Sequence, residues 1–118
     1  MTTRKTSEPL WWALFSAGGV VAAFLVPIHL FLHGIAVPLG WVSADVTSYE
    51  RMRAVVGHPL VKIYLFVLIA LPFYHWAHRF RFTLFDLGLK SLRTSVAVLC
   101  YGAAVIGMVA TVWILLLV

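Results

Sequence analysis

Residues 9–44 read PLWWALFSAGGVVAAFLVPIHLFLHGIAVPLGWVSA. These 36 positions contain no Asp, Glu, Lys or Arg, and charge returns only at Asp45. A helix crosses the hydrocarbon of a bilayer in about 20 residues. The run is too long for the core of a cleaved leader, and it has no clear cleavage site. It is too short for two full crossings with a turn between them. One span over about residues 10–39 is the reading, and Pro27 inside it is predicted to kink the helix.

Two more apolar runs follow. One covers about Pro59 to Phe80, with Lys62 near its start able to snorkel outward and Pro72 predicted to bend it. The other covers about Thr94 to Val118 without a charge. The fold predicted is therefore all-α and integral to the membrane. It is a single three-helix unit over residues 1–118, with connections at 40–58 and 81–93. Composition agrees. The chain is 63% hydrophobic and 11% charged, where soluble domains run near ~25% charged. Mean hydropathy is +0.99. A chain this short cannot build a core large enough to hide so much apolar surface.

Three spans put the two termini on opposite sides. Arg4, Lys5, Arg79, Arg81, Lys90 and Arg93 fall on one side; Arg51, Arg53 and Lys62 fall on the other. The positive-inside rule assigns the richer side to the cytoplasm. The N-terminus and the 81–93 connection then face the cytoplasm, and the C-terminus and the 40–58 loop face outward. Within that loop, Thr47 and Glu50 have the spacing of a capping box, and Ser48 to Val56 are predicted to form a short surface helix.

The net charge of +5 comes from residues flanking the apolar runs, so it reads as topology and not as a nucleic-acid surface. The lone Cys100 permits no internal disulfide and no cysteine metal cage, and its apolar neighbours predict a packed thiol. No metal site is expected. No predicted span holds a carboxylate, which argues against a self-sufficient proton-coupled transporter.

Polar groups at membrane depth are the candidates for function. His75, His78 and Arg79 can share a face at the cytoplasmic end of span two. An imidazole and a guanidinium there can donate to a quinone carbonyl; they can equally form a basic belt that anchors the helix. Trp11 and Trp12 open span one, where tryptophan serves as an interface anchor or as a pocket wall. Beyond them, Gly18 with Ala22 and Gly19 with Ala23 form small faces suited to close helix packing. Ala103 and Gly107 do the same in span three. His29 and His33 lie about 26–32 Å beyond Trp12 along a helix, toward the outer side. They are open to hydrogen bonding with carbonyls or water, or to an outer quinone or water path. Haem is not expected there, because neighbours at i and i+4 do not clamp one iron from opposite sides. Three helices with several small faces imply a further partner in the membrane.

Glu8–Gly19 (EPLWWALFSAGG), Pro27, Val37–Gly40 (VPLG), Ser48–Arg51 (SYER), Leu71–Pro72 and His78–Arg79 form a set of stretches. Together they resemble the small hydrophobic membrane anchor, or D-subunit, of bacterial fumarate reductase. Order and spacing agree over roughly residues 8–90; the third span agrees only in length and hydropathy. The resemblance implies a non-catalytic anchor in the bacterial cytoplasmic (inner) membrane. Its implied partners are a second hydrophobic anchor (the C-subunit), an iron–sulfur protein and a flavoprotein. Flavin and iron–sulfur clusters would reside in those partners, and menaquinone would bind a site shared with this chain. Trp12, His78 and Arg79 match the family's quinone-site residues. Ser16 stands where the family shows glycine, at the same pocket. His29 and His33 stand where familiar members have apolar residues. Two rival readings share some of these features: a haem-bearing succinate dehydrogenase anchor, and a non-enzymatic scaffold or small transporter.

Overall fold

A computed structural model describes residues 7–118. Arg4 and Lys5, which enter the charge count, lie outside the described residues. The described chain is helical throughout its regular elements, and three of its helical segments are long and apolar enough to cross a membrane. The predicted all-α class with three such helices is what the structure contains.

Helix α1 covers Glu8–Phe24. Proline in its first turn supplies a preset φ where no amide donor is needed, and Glu8 complements the positive helix end. The helix stops at Leu25 because Pro27 has no amide to offer the carbonyl one turn back. It resumes as α2, Val26–Phe31, and widens into a π turn over Leu32–Ala36. There the Val37 amide reaches back five residues to the Leu32 carbonyl at 3.0 Å. The predicted kink is thus a one-residue break followed by a widened turn.

The 40–58 connection forms a 3-10 turn, Ala44–Thr47, and then α3, Tyr49–Gly57. The short helix forms as predicted, but the capping box does not. Ser48, and not Thr47, occupies the N-cap, without a side-chain bond; the Thr47 hydroxyl donates to the Ala44 carbonyl of its own turn at 2.9 Å.

Helix α4 covers Pro59–Asp86. His58 caps it, its Nδ1 accepting from the Leu60 amide at 3.2 Å. The helix runs uninterrupted through Pro72 and continues six residues past Phe80, the end read from hydropathy. Nothing between Arg81 and Asp86 breaks a helix. The stop comes at Gly88, whose φ of +104° suits glycine. Most of the 81–93 stretch is therefore helical, and Asp86 belongs to α4. A 3-10 turn, Leu89–Leu92, leads into α5, Arg93–Leu117.

α4 lies between α1 and α5 and packs against both. Its seam with α5 is a stripe of small and medium side chains. Val96, Cys100, Ala104, Thr111 and Leu115 are buried, at spacings of four and seven that keep one face inward. Cys100 is the packed thiol expected. Of the small pair predicted for this helix, Ala103 is exposed and Ala104 takes the buried position, while Gly107 faces the Phe73 ring. The seam with α1 is tighter. A Cβ on Gly18 would overlap the Leu71 carbonyl, and one on Gly19 would lie 2.9 Å from the His75 ring. Both glycines serve the close packing expected of them.

Most large apolar side chains point outward: Phe24, Leu99, Ile106 and Leu116 are each more than 70% exposed. Lipid or a membrane partner is the surrounding that suits such a surface. Tyr49, Met52, Arg53 and Val56 share a hollow with Leu117 and Val118, so α3 sits at the end of the bundle where α5 finishes. Trp12 and His78 meet at the opposite end.

Candidate functional site

At that opposite end the start of α1 meets the last turns of α4. His75, His78, Phe82 and Asp86 recur at spacings of three or four, and Arg79 is one step round the helix. Trp12 and Phe15, one turn apart on α1, face this row. The two helices enclose a cleft of about 350 Å³, walled by Trp12, Phe15 and Phe82 and carrying His78, Arg79 and Asp86. That is within the size range of small-molecule sites, which are mostly apolar with a few placed polar groups.

His78 is held from three directions. Its ring lies 4.8 Å from Phe15 and 6.0 Å from Trp12, centroid to centroid, and meets Phe82 edge-on at 5.2 Å. Its Nδ1 hydrogen-bonds the Tyr101 hydroxyl of α5 at 2.9 Å. His75 points elsewhere. Its Nδ1 donates to the Phe15 carbonyl at 2.9 Å, and its ring stacks on Phe15 at 4.4 Å and 7°. This histidine pins α1 to α4 and is not part of the cleft wall. Arg79 is exposed on the cleft rim. The Arg81 guanidinium lies over the rings of Phe82 at 4.6 Å and Tyr101 at 5.3 Å. Cation–π contact thus holds a second positive charge behind the cleft. Asp86 is the carboxylate on the cleft wall.

Trp12, His78 and Arg79 therefore come together in one cleft. Ser16 does not join them; it is exposed and outside the cleft wall. At the far end, His29 Nε2 hydrogen-bonds the Tyr64 hydroxyl at 2.7 Å, and the His29 and His33 rings lie parallel with centroids 6.2 Å apart. Among the described residues, no group of three or more His, Cys, Asp or Glu is arranged to hold a metal ion.

The chain matches the family model for the fumarate reductase D-subunit over residues 2–116. It belongs to the fumarate reductase D-subunit family. It is 44% identical over 115 residues to the fumarate reductase D-subunit of Mycobacterium tuberculosis (strain ATCC 25618 / H37Rv), covering 96% of this chain and 90% of that protein. It is 36% identical over 113 residues to the D-subunit of Shewanella putrefaciens (strain CN-32 / ATCC BAA-453), covering 95% and 93%. The family match extends along α5, well beyond the stretch where motifs alone carry a resemblance.

A chain of this family is one part of a complex, and three apolar helices make this one a membrane anchor. The sequence reading missed four members of its cleft region. Phe15 is three residues after Trp12 and Phe82 four after His78, so helical spacing held both signals. Asp86 was hidden by ending the span at Phe80. Tyr101 lies on another helix, 23 residues from His78, and only packing joins them.

His29 has a structural use that predicts a modest effect. The His29–Tyr64 bond ties α2 to α4. Tyr64→Phe is expected to cost the assembled complex about 1 kcal/mol, seen as a small fall in its unfolding temperature in detergent. Turnover with quinol should stay at the native rate. A large loss of turnover with stability intact would instead give this end a role in the chemistry.

Proposed function

We propose that this chain, with a second hydrophobic anchor, holds a flavoprotein and an iron–sulfur protein on the cytoplasmic face of the bacterial inner membrane. In this reading its cleft forms part of a menaquinol site for a quinol:fumarate reductase. The observation that carries the proposal is the meeting of Trp12, His78 and Arg79 in one aromatic-walled cleft. It lies at the end where basic residues predominate. Arg79, Arg81, Lys90 and Arg93 favour the cytoplasm at this end by the positive-inside rule.

The residues present fit a quinone. Flat aromatic faces suit a fused ring, and His78 and Arg79 offer polar groups to its oxygens. When bound and oxidised, a quinol supplies two electrons and releases two protons. Trp12 and Phe15 orient the ring plane and exclude water. His78 keeps one nitrogen for a proton in transit, and Arg79 stabilises negative charge on an oxygen beside it. Asp86, on the same cleft wall, gives that proton a carboxylate to pass to at the membrane surface.

Purification through a tag on this chain, in mild detergent, tests the reading. Recovery of a flavoprotein, an iron–sulfur protein and a second small hydrophobic chain is the expected result. Recovery of this chain alone, from a preparation in which other membrane complexes survive, would overturn it.

A further inference from the structure

We infer that Tyr101 is a positioning residue for His78, its hydroxyl holding the imidazole so that Nε2 is the nitrogen left for a ligand in the cleft. The inference rests on the quinone-site reading and goes beyond it, to a residue on a helix that contributes nothing to the cleft wall itself. Three observations carry it.

The first is the 2.9 Å contact between His78 Nδ1 and the Tyr101 oxygen. It engages one ring nitrogen, while Nε2 has no hydrogen-bond partner among the described residues. The second is the confinement of both partners. Tyr101 is wedged between Trp11, at a centroid distance of 5.2 Å, and the Arg81 guanidinium at 5.3 Å. His78 is wedged between Phe15 and Phe82. Neither ring can turn away without leaving the contacts on both its sides. The third is chemical. A phenol hydroxyl both donates and accepts, so Tyr101 can serve either neutral tautomer of His78. When Tyr101 donates to Nδ1, Nε2 carries the hydrogen and can donate to a quinone oxygen. When Nδ1 donates to Tyr101, Nε2 is bare and can take a proton from a quinol hydroxyl. Histidine commonly has its tautomer set by the partner of its second nitrogen. A hydroxyl partner leaves both directions of proton transfer open, where a carbonyl or carboxylate would fix one.

Tyr101→Phe removes the hydroxyl and keeps the ring between Trp11 and Arg81. In the purified whole complex, three readouts are expected to respond. Losing one hydrogen bond of ordinary strength should weaken binding of a non-reducible naphthoquinone analogue, followed by Trp fluorescence, by about tenfold. Turnover with menaquinol should fall by a similar factor, about tenfold, while fumarate reduction driven by a small dye is unchanged. The imidazole nitrogen signals of His78, assigned by their loss in His78→Gln, should move from a hydrogen-bonded Nδ1 to that of a free ring. A merely structural role for Tyr101 would not move this last readout alone.

The outcomes separate the two levels of the argument. If His78→Gln leaves analogue binding intact, the quinone-site reading itself fails at His78. If His78→Gln weakens binding and Tyr101→Phe leaves binding and the nitrogen signals native, the site stands and the role of Tyr101 is overturned. Should the Phe variant assemble poorly, the native complex decides alone: a displaced His78 Nδ1 signal supports the inference, and a free-imidazole Nδ1 signal overturns it.

Discussion

His78→Ala is expected to slow menaquinol-driven fumarate reduction by about a hundredfold, the loss typical when a positioned acid–base group is removed. Reduction of fumarate by a small soluble dye should continue at the native rate, because the dye bypasses this chain. The geometry explains why the two activities should part. The His78 ring fills the middle of the cleft, between Trp12, Phe15 and Phe82. Its deletion removes the polar group nearest the aromatic floor but leaves α1 tied to α4 through His75 and the Phe15 carbonyl. The complex should therefore form normally. Trp12→Ala should show the same split to a smaller degree, since Phe15 still supplies one flat wall. Equal loss of both activities in His78→Ala would mean that His78 acts through assembly, and the proton-handling role would be withdrawn.

The sequence carried the architecture at the level of helices because bilayer crossing is a composition property. Three apolar stretches of sufficient length are visible without any tertiary contact. The end of α4 was not visible in this way. Hydropathy falls after Phe80, yet a helix ends where its backbone is broken, and the breaking residue is Gly88. Following the apolar run and not the breaker hid Asp86, which the helix carries at its last turn. The same distinction separates the cleft residues. Trp12, His78 and Arg79 stood out through a family resemblance, and their neighbours Phe15 and Phe82 could have been added by counting turns. Tyr101 could not, because its link to His78 depends on how α5 is rotated against α4. The small residues alone do not give the phase of that rotation: the buried stripe runs through Cys100, Ala104 and Thr111 and leaves Ala103 outside. Ser16 entered through the same resemblance, as the residue standing where the family has glycine; in this chain its side chain is exposed beside the Trp12–His78 cleft and not in its wall.

Gly18→Leu is the substitution expected to do the most damage to the assembled state. The atom facing Gly18 is the Leu71 carbonyl, part of the α4 backbone, and a Cβ built there overlaps it. A side chain can change rotamer to admit a newcomer; a helix backbone cannot, so α1 must move bodily away from α4. The cost is expected at about 3 kcal/mol or more, the upper range for overpacking, because the displacement also undoes other contacts. The His75–Phe15 carbonyl bond and the Phe15 stack on His75 both span this seam. Trp12 is carried on the same helix, so the cleft opens as the seam does. The expected result is a low yield of complex, and loss of quinol-driven activity in whatever assembles. Two comparison variants define the cause. Gly107→Leu meets the far edge of the Phe73 ring, which can swing aside, so a milder fall in yield is expected. Gly34→Ala has nothing within 4 Å of the added carbon and should be nearly neutral. An ordering in which Gly18→Leu is no worse than Gly34→Ala would mean that α1 and α4 are not in backbone contact. The cleft between Trp12 and His78 would then lose the seam that positions it.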